Sequence, residues 1–308
     1  MVLGREGWTP DRVPDLTGKT YLITGANSGI GYETSRILAR RGARLLWLCR
    51  DPAKAKVKAD ELRAEVPAVA LTTFGADLAD LDTVRVAATE VCAATDRLDA
   101  VINNAGIMMV PRRESTEQGF ELQLGVNHFA HFALDAWLYD RVAAAGGRYV
   151  AVSSGAHKGG RMDFDDPNWE RGYSPVPAYC RSKLANLLFA REANRRLERA
   201  GSPVRVLTAH PGYSATNLQT TGPGAVWGAV MSFTNRWIAQ SAERGAWPSV
   251  LAACDPEARP GVYYGPTRAF EAMGPVGECT RAAAADDDAA ARALWELSER
   301  STGVPWLD

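Results

Sequence analysis

The chain has 308 residues, with 35 Lys and Arg against 36 Asp and Glu, which gives a net charge of −1 at pH 7. Apolar residues make up 46% and charged residues 23%, a composition that excludes a largely disordered chain. The balanced charge excludes the broad positive surface of a general nucleic-acid-binding protein, so we expect no nucleic-acid partner.

The cysteines and the N-terminus indicate a compartment. Five widely spaced cysteines without a Cys-x-x-Cys pair favour neither a disulfide framework nor a structural zinc site. The first 15 residues are polar and charged, unlike a signal peptide, and no run of about 18 apolar residues predicts a membrane span. We therefore expect a reduced, cytoplasmic protein that needs no metal.

Strand and helix patterns alternate from residue 20 onward. The predicted strands are 20–24, 44–49, 68–74, 99–103, 148–153, 203–210 and a short 261–265. The predicted helices are 32–41, 52–66, 81–95, 116–145, 177–200 and 284–300. The run RLLWLC at 44–49 is nearly all apolar, as in strands of a parallel sheet buried on both faces. Repeated strand–helix units predict an α/β fold, a doubly wound parallel sheet of the Rossmann type with helices on both faces.

No linker or repeat divides the chain, so we predict one domain over 1–308. Its core covers about 16–265, a small helical cap on the substrate side covers about 213–253, and a C-terminal extension covers 266–308. Large apolar side chains in the cap either cover a lipophilic or aromatic substrate or pack within the cap or an oligomer interface. These side chains are Trp227, Met231, Phe233, Trp237 and Trp247. Formation of a homo-oligomer stays open.

A glycine-rich loop lies between the first predicted strand and the first predicted helix. Backbone N–H groups at such a junction bind a pyrophosphate with the help of the helix N-terminus, and glycine allows close approach. The spacing is G-x-x-x-G-x-G rather than G-x-G-x-x-G, and an ordinary strand–helix turn is the alternative. The candidate cofactor-binding residues are Gly25, Asn27, Ser28, Gly29, Ile30 and Gly31.

The end of the second strand favours NADP(H) over NAD. Strands of NAD-binding proteins usually end here in an acidic residue that binds the ribose 2′-hydroxyl. This strand ends in Cys49 and is followed by Arg50, whose guanidinium suits a 2′-phosphate. The alternative is that Arg50 only caps a loop, and the neighbouring Asp51 weakens the argument.

Three further motifs follow in order. Asn103-Asn104-Ala105-Gly106 follows the fourth strand, Ser153-Ser154 the fifth, and Tyr179-x-x-x-Lys183 begins a helix. With the glycine loop, this set resembles the short-chain dehydrogenase/reductase family over about residues 16–265. The segments VSSGAH, AYCRSKLANLLFARE and NHFAHFAL are similar to its retinol-dehydrogenase-like and WW-domain-oxidoreductase-like branch.

The resemblance implies catalytic roles for four residues. Tyr179 would be the general acid/base. Lys183, on the same helical face, would bind the nicotinamide ribose and lower the pKa of the phenol from about 10. Ser154 would bind the substrate oxygen, with Ser153 as the alternative. Asn127 would help to hold a water that relays protons to the lysine.

The resemblance also implies the remaining cofactor contacts and the reaction. The further contacts are Asp77, Leu78, Asn104, Ala105, Gly106, Pro211, Gly212 and Thr216. The implied reaction is hydride transfer between NADP(H) and a carbonyl or alcohol, with reduction as the expected direction. The alternatives are an NADP-binding regulator without turnover, enoyl reduction or epimerisation.

Overall fold

A computed structural model describes residues 7–212 and 241–307. Eight strands form one sheet in the order β3-β2-β1-β4-β5-β6-β7-β8. Neighbouring strands are parallel from β3 to β7, and β8 runs antiparallel to β7. The strands are β1 (Thr20–Thr24), β2 (Arg44–Cys49), β3 (Leu71–Gly75), β4 (Ala100–Asn103), β5 (Arg148–Val152), β6 (Arg205–Ala209), β7 (Tyr263–Arg268) and β8 (Met273–Cys279).

Helices connect the parallel strands. They are α1 (Gly29–Ala39), α2 (Pro52–Glu65), α3 (Leu81–Ala94), α4 (Leu122–Leu124), α5 (Ala130–Ala145), α6 (Pro175–Arg199), α7 (Ala242–Cys254) and α8 (Asp288–Thr302). A π-helical turn, Gly125–Phe129, joins α4 to α5. Residue types define the ends: Asp51 caps α2 ahead of Pro52, and Gly146 ends α5 in the left-handed conformation.

Both faces of the sheet are covered by apolar layers. Neighbouring strand residues point to opposite sides, so that Leu22 packs in one layer and Ile23 in the other. The first layer includes residues of α3, α5, α6 and α8, and the second includes residues of α1, α2 and α7. The last five residues of the RLLWLC strand are buried, as predicted. The predicted fold class, a doubly wound α/β sheet, is confirmed.

The strand order places a crevice at one edge of the sheet. The chain moves outward from β1 through β2 to β3, then returns to place β4 on the other side of β1. Loops after β1 and β4 therefore diverge, and ligands of open α/β sheets bind at such a reversal point. The glycine loop follows β1 at this point.

Two predicted elements need correction. The predicted helix over 116–145 begins only at Leu122, because residues before it form a tight turn with Gly119 in the left-handed conformation. The strand β8 was missed, since its sequence MGPVGEC carries two glycines and a proline and resembles a loop.

The described part of the predicted cap forms helix α7, and the cap as a whole stays a prediction because most of it lies outside the described residues. Helix α7 packs against α1 and the sheet, with Val250 and Leu251 fully buried in the second layer. Trp247 packs against the same layer and stacks under the guanidinium of Arg244, so it serves packing. The other large cap residues, Trp227, Met231, Phe233 and Trp237, lie outside the described residues, as does Thr216. Among the helices of 7–212 and 241–307, none has the length and apolarity of a membrane span.

The two ends of the chain are integrated into the sheet. The backbone N–H of Trp8 donates to the Val276 carbonyl at 2.9 Å, and its buried indole N–H donates to Asp255 Oδ2 at 2.7 Å. At the other end, Trp295 and Trp306 pack with Phe132 on the first layer. The residues after 265 therefore complete the sheet and one helical layer.

Candidate active site

A cleft of about 330 Å³ opens at the carboxyl ends of the central strands. It brings together most of the cofactor residues proposed from the sequence. These are Gly25, Asn27, Ser28, Gly29, Ile30, Gly31, Arg50, Asp77, Leu78, Asn104, Ala105, Gly106, Tyr179, Lys183 and Pro211. Gly212 follows Pro211 in the left-handed conformation but does not line the cleft.

The glycine loop has a geometry that only glycine permits. Gly25 and Gly29 take φ values of +65° and +51°. A Cβ on Gly31 would lie 2.4 Å from the Gly25 carbonyl oxygen and 2.6 Å from Asn104 Nδ2. Asn104 holds the loop from the β4 side, since its Nδ2 donates to the Thr24 carbonyl at 2.9 Å.

The loop also leaves the N-terminus of α1 accessible to an anion. Ser28, the residue before the helix, makes no side-chain capping hydrogen bond within the described structure. The first-turn N–H groups and the Cβ-free surface of Gly25 and Gly31 therefore fit a dinucleotide pyrophosphate.

Two cations line the cleft beyond β2. The exposed Arg50 makes no hydrogen bond or ion pair with the described residues. Asp51, not Arg50, caps the next element, accepting from the N–H groups of Ala53 and Lys54 at 3.1 and 3.0 Å. The alternative that Arg50 caps a loop is therefore wrong. Lys54 was missed in the sequence, although a second cation in the first turn of α2, so close to Arg50, was the available signal.

The proposed adenine contacts lie at the end of β3. Asp77 Oδ1 accepts from the Ala79 N–H at 2.9 Å, and its own N–H donates to Thr83 Oγ1 at 3.0 Å. Leu78 presents an apolar side chain between these polar groups. The turn thus places an apolar side chain in the cleft lining between hydrogen-bonded polar groups.

The catalytic candidates meet at the other end of the cleft. Tyr179 and Lys183 lie one turn apart on α6, with Lys183 Nζ 5.8 Å from the Tyr179 ring centroid. Nζ donates to the Val152 carbonyl at 3.1 Å. Ser154 follows β5, and its side chain lies close enough to Tyr179 to oppose the rise in the pKa of the phenol. The structure thus brings three of the four candidates together.

The geometry separates the two neighbouring serines. The Ser153 hydroxyl is buried and donates to the Lys183 carbonyl at 2.7 Å, so it serves to join β5 to α6. Ser154 Oγ accepts from the Ala156 N–H at 3.2 Å, which leaves its proton available to a second oxygen. The arrangement favours Ser154 over Ser153 as the substrate-binding serine.

Asn127 lies in the π-helical turn, with its amide fully used. Oδ1 accepts from the Ile107 N–H at 2.8 Å, and Nδ2 donates to the Ile107 carbonyl and to Ser182 Oγ, both at 2.9 Å. The side chain therefore anchors the loop after β4 to α6. Its main-chain carbonyl accepts from His131 Nδ1 at 3.3 Å, and the water-holding role of Asn127 stays a prediction.

Gly106 keeps the space beside these side chains open. A Cβ there would lie 2.9 Å from Asn127 Oδ1 and 3.5 Å from Lys183 Nζ. An added Cβ would therefore displace the Asn127 side chain and reach contact distance of the lysine.

Burial dominates the proton affinities of the pair. It raises the pKa of Tyr179 to about 12, and the hydrogen bond with Ser154 acts in the opposite direction. It also lowers the pKa of Lys183 to about 8. The lowering of the phenol pKa that was predicted from Lys183 is therefore outweighed by burial. Tyr179 is a protonated acid at neutral pH, next to a lysine that is still mainly cationic.

Three polar side chains outside the cleft lining form a further cluster. Donor atoms of His210, Glu271 and Cys279 lie within 4.8 Å of one another. Glu271, however, accepts from cationic Lys158 Nζ at 2.8 Å and from the Thr280 N–H at 2.8 Å. Burial raises the pKa of Cys279 to about 12, so the thiol keeps its proton. These groups are engaged in hydrogen bonds and an ion pair, and we assign them no metal.

A Rossmann sheet with a glycine loop and a Ser–Tyr–Lys group across one cleft defines a nucleotide-dependent oxidoreductase. Residues 19–223 match the family model described as short chain dehydrogenase. The chain belongs to the short-chain dehydrogenase/reductase family, in its retinol-dehydrogenase-like branch.

Curated relatives agree along nearly the whole chain. Retinol dehydrogenase 13 from Homo sapiens is 39% identical over 299 residues, covering 94% of this chain and 86% of the relative. Retinol dehydrogenase 14 from Homo sapiens is 39% identical over 306 residues, covering 94% and 88%.

Solved structures show the same architecture. A protein from Mycobacterium paratuberculosis described as uncharacterised has 40% identity and a TM-score of 0.81, covering 97% of this chain and 99% of that one. A structure from Beutenbergia cavernae assigned as NAD(P)-dependent gluconate 5-dehydrogenase, with bound NADP at low occupancy, has 31% identity and a TM-score of 0.59. It covers 78% of this chain and 91% of that one.

Proposed function

We propose that the protein is an NADP(H)-dependent oxidoreductase that interconverts an aldehyde or ketone and an alcohol, with Tyr179 as general acid/base. The observation that carries the proposal is that Tyr179 and Lys183 lie one helical turn apart and line one end of the glycine-loop cleft, with Ser154 beside Tyr179 at the end of β5. The names of the curated relatives, retinol dehydrogenases, support the reaction class.

The nucleotide would lie along the cleft from Arg50 to Lys183. The N-terminus of α1 and the glycine loop would hold its pyrophosphate. Arg50 and Lys54 would face a 2′-phosphate, because two cations bind that dianion through charge-assisted hydrogen bonds. A bound nicotinamide supplies or accepts the hydride.

The side chains of the catalytic end supply the proton and hold the substrate. The Ser154 hydroxyl donates to the substrate carbonyl oxygen and stabilises the charge that develops there. Tyr179 holds its proton at neutral pH and delivers it to the same oxygen in reduction. The Lys183 ammonium lies beside the phenol and stabilises the phenolate that remains.

We further propose a lipophilic or aromatic substrate. The retinol named in the relatives is such a molecule. A lipophilic substrate is held by apolar area, so its affinity should rise with chain length or ring number more than with polar substituents.

NADPH consumption against a panel of aldehydes, ketones and quinones, retinal included, tests the proposal. Wild type should oxidise NADPH with at least one lipophilic aldehyde or ketone, and the Tyr179→Phe variant should not. An equal rate in wild type and variant would assign the activity to a contaminant. Nucleotide binding without turnover of any carbonyl would contradict the proposal and favour a binding protein.

A further inference from the structure

His157 lies between the substrate-binding serine and the C-terminal part of the chain. It belongs to the 3-10 turn Gly155–Gly159 that Ser154 begins, and its side chain is completely buried. Both ring nitrogens are used. Nδ1 lies 2.7 Å from the Ser154 carbonyl oxygen, and the Ala282 N–H donates to Nε2 at 3.1 Å.

These partners determine where the ring proton lies. A backbone N–H only donates, so Nε2 must be the unprotonated acceptor towards Ala282. A carbonyl only accepts, so Nδ1 must carry the proton and donate to Ser154. His157 is therefore the neutral Nδ1–H tautomer, and burial acts in the same direction by lowering the pKa of the ring.

The surroundings hold the ring in this orientation. The Tyr263 ring of β7 packs edge-on against it at a centroid distance of 5.2 Å. The next residue, Lys158, donates to Thr280 Oγ1 at 2.9 Å and to Glu271 Oε2 at 2.8 Å. His157 and Lys158, two adjacent residues of the 3-10 turn, thus hydrogen-bond to the segment that follows β8.

We propose that His157 is a positioning residue that fixes the backbone of Ser154, and through it the hydroxyl, against Tyr179. The inference rests on the proposed carbonyl–alcohol chemistry. The Ser154 carbonyl accepts from the His157 backbone N–H at 3.1 Å and from Nδ1 at 2.7 Å, and the bond from Ala282 holds the ring in the tautomer that adds the second donor. The segment after β8, far from the glycine loop in sequence, thereby contributes to the geometry of the reacting group.

Two substitutions separate the two hydrogen bonds. The amide nitrogen of His157→Asn overlays Nδ1 and keeps the donor to Ser154, whereas the amide oxygen of His157→Gln overlays Nε2 and keeps only the acceptor for Ala282. We expect His157→Gln to lower kcat about tenfold, the effect of one lost neutral hydrogen bond. His157→Asn should stay within about twofold of wild type, because it keeps the donor. The Kd for NADPH should be unchanged in both.

A double-mutant cycle with Ser154→Ala tests the route of the effect. If His157 acts through the serine hydroxyl, His157→Gln should change kcat by less than about twofold in the Ser154→Ala background. A full tenfold loss in that background, or equal losses in the Asn and Gln variants, would overturn the positioning role. Melting temperatures of all variants identify a loss that only reflects unfolding.

The tautomer is tested without turnover. In ¹⁵N-histidine spectra of the intact protein, His157 should show the Nδ1–H form and no titration between pH 5.5 and 8. An Nε2–H form or a titrating ring would overturn the proposal. If the wild-type protein turns over no carbonyl although His157 shows the expected tautomer, the proposed chemistry is overturned. The kinetic role of His157 is then overturned as well. If the wild-type protein is active but the effects of His157→Gln and Ser154→Ala on kcat are additive, only the positioning role is overturned.

Discussion

The two ends of the cleft are built from different kinds of groups. The nucleotide end uses backbone N–H groups, glycines in left-handed conformations, and the exposed cations Arg50 and Lys54. The catalytic end uses buried side chains, and burial raises the pKa of Tyr179 to about 12 while it lowers the pKa of Lys183 to about 8. The first end can recognise an anion while staying hydrated, and the second can hold or release a proton because it is dry. Substitutions at one end should therefore change binding, and substitutions at the other should change rate.

The largest effect should come from the catalytic end alone. Tyr179→Phe removes the proton donor and should lower kcat by about 10²–10⁴-fold, the usual contribution of general acid catalysis. The Kd for NADPH, measured by fluorescence titration, should change by less than about threefold. Tyr139→Phe is the matched control, since its hydroxyl bonds to Ser202 away from the cleft. A comparable loss of nucleotide affinity in Tyr179→Phe would mean that the two ends are not separable.

A methyl group in the glycine loop should have the next largest effect, and only on binding and stability. Gly31→Ala places a Cβ 2.4 Å from the Gly25 carbonyl oxygen, so the loop must shift at a cost of about 1–3 kcal/mol. NADPH affinity should fall by roughly 5–150-fold, measured by calorimetry. Gly155→Ala, where nothing lies within 4 Å of the new Cβ, is the control for stability. Unchanged affinity in Gly31→Ala would argue against pyrophosphate binding at this loop.

Charge reversal at the nucleotide end should alter cofactor choice. Arg50→Asp removes the proposed charged contact to the 2′-phosphate and should lower the NADPH-to-NADH preference by about 10–100-fold, read as the ratio of kcat/KM values. Lys56→Asp on α2 is the matched control, because Lys56 pairs with Asp60 and does not line the cleft. If the ratio stays the same in Arg50→Asp, the 2′-phosphate assignment fails.

The smallest effect is a pH dependence that belongs to the catalytic end. In the proposed mechanism, reduction needs protonated Tyr179 beside cationic Lys183, and Lys183 loses its charge as the pH rises through a pKa of about 8. The value of kcat/KM for reduction should therefore fall, by up to about tenfold per pH unit, above that pH. In Lys183→Arg the guanidinium stays charged, so the alkaline fall should move to higher pH. A fall at the same pH in both proteins would assign it to another group.

The sequence predicted the nucleotide end better than the rest. Glycine spacing and the Cys49-Arg50 strand end are local signals, and the structure places all but two of the proposed cofactor residues along one cleft. Local sequence could not distinguish Ser153 from Ser154. The distinction depends on a contact between β5 and α6, in which the Ser153 hydroxyl donates to the Lys183 carbonyl.

Proton affinities and the C-terminal elements were beyond sequence reasoning. The distance from Lys183 to Tyr179 suggested a lowered phenol pKa, but the degree of burial, set by packing of the whole domain, decides the sign. Strand β8 carries no hydrophobic alternation and is stabilised by pairing with β7 and by Trp8. Helix α7 was read as a cap because an apolar helix in a core layer has the same composition as a lid.

The bond between Trp8 and Asp255 spans 247 positions. During synthesis the ribosome releases the chain from the N-terminus, so β1 to β4 can fold while the partners of Trp8 are still untranslated. Its indole must then remain exposed until α7 and β8 emerge, a long-range closure of the kind that slows folding. The amide of Ala282 is translated later still, so the hydrogen bond that it donates to His157 is also a late, long-range contact.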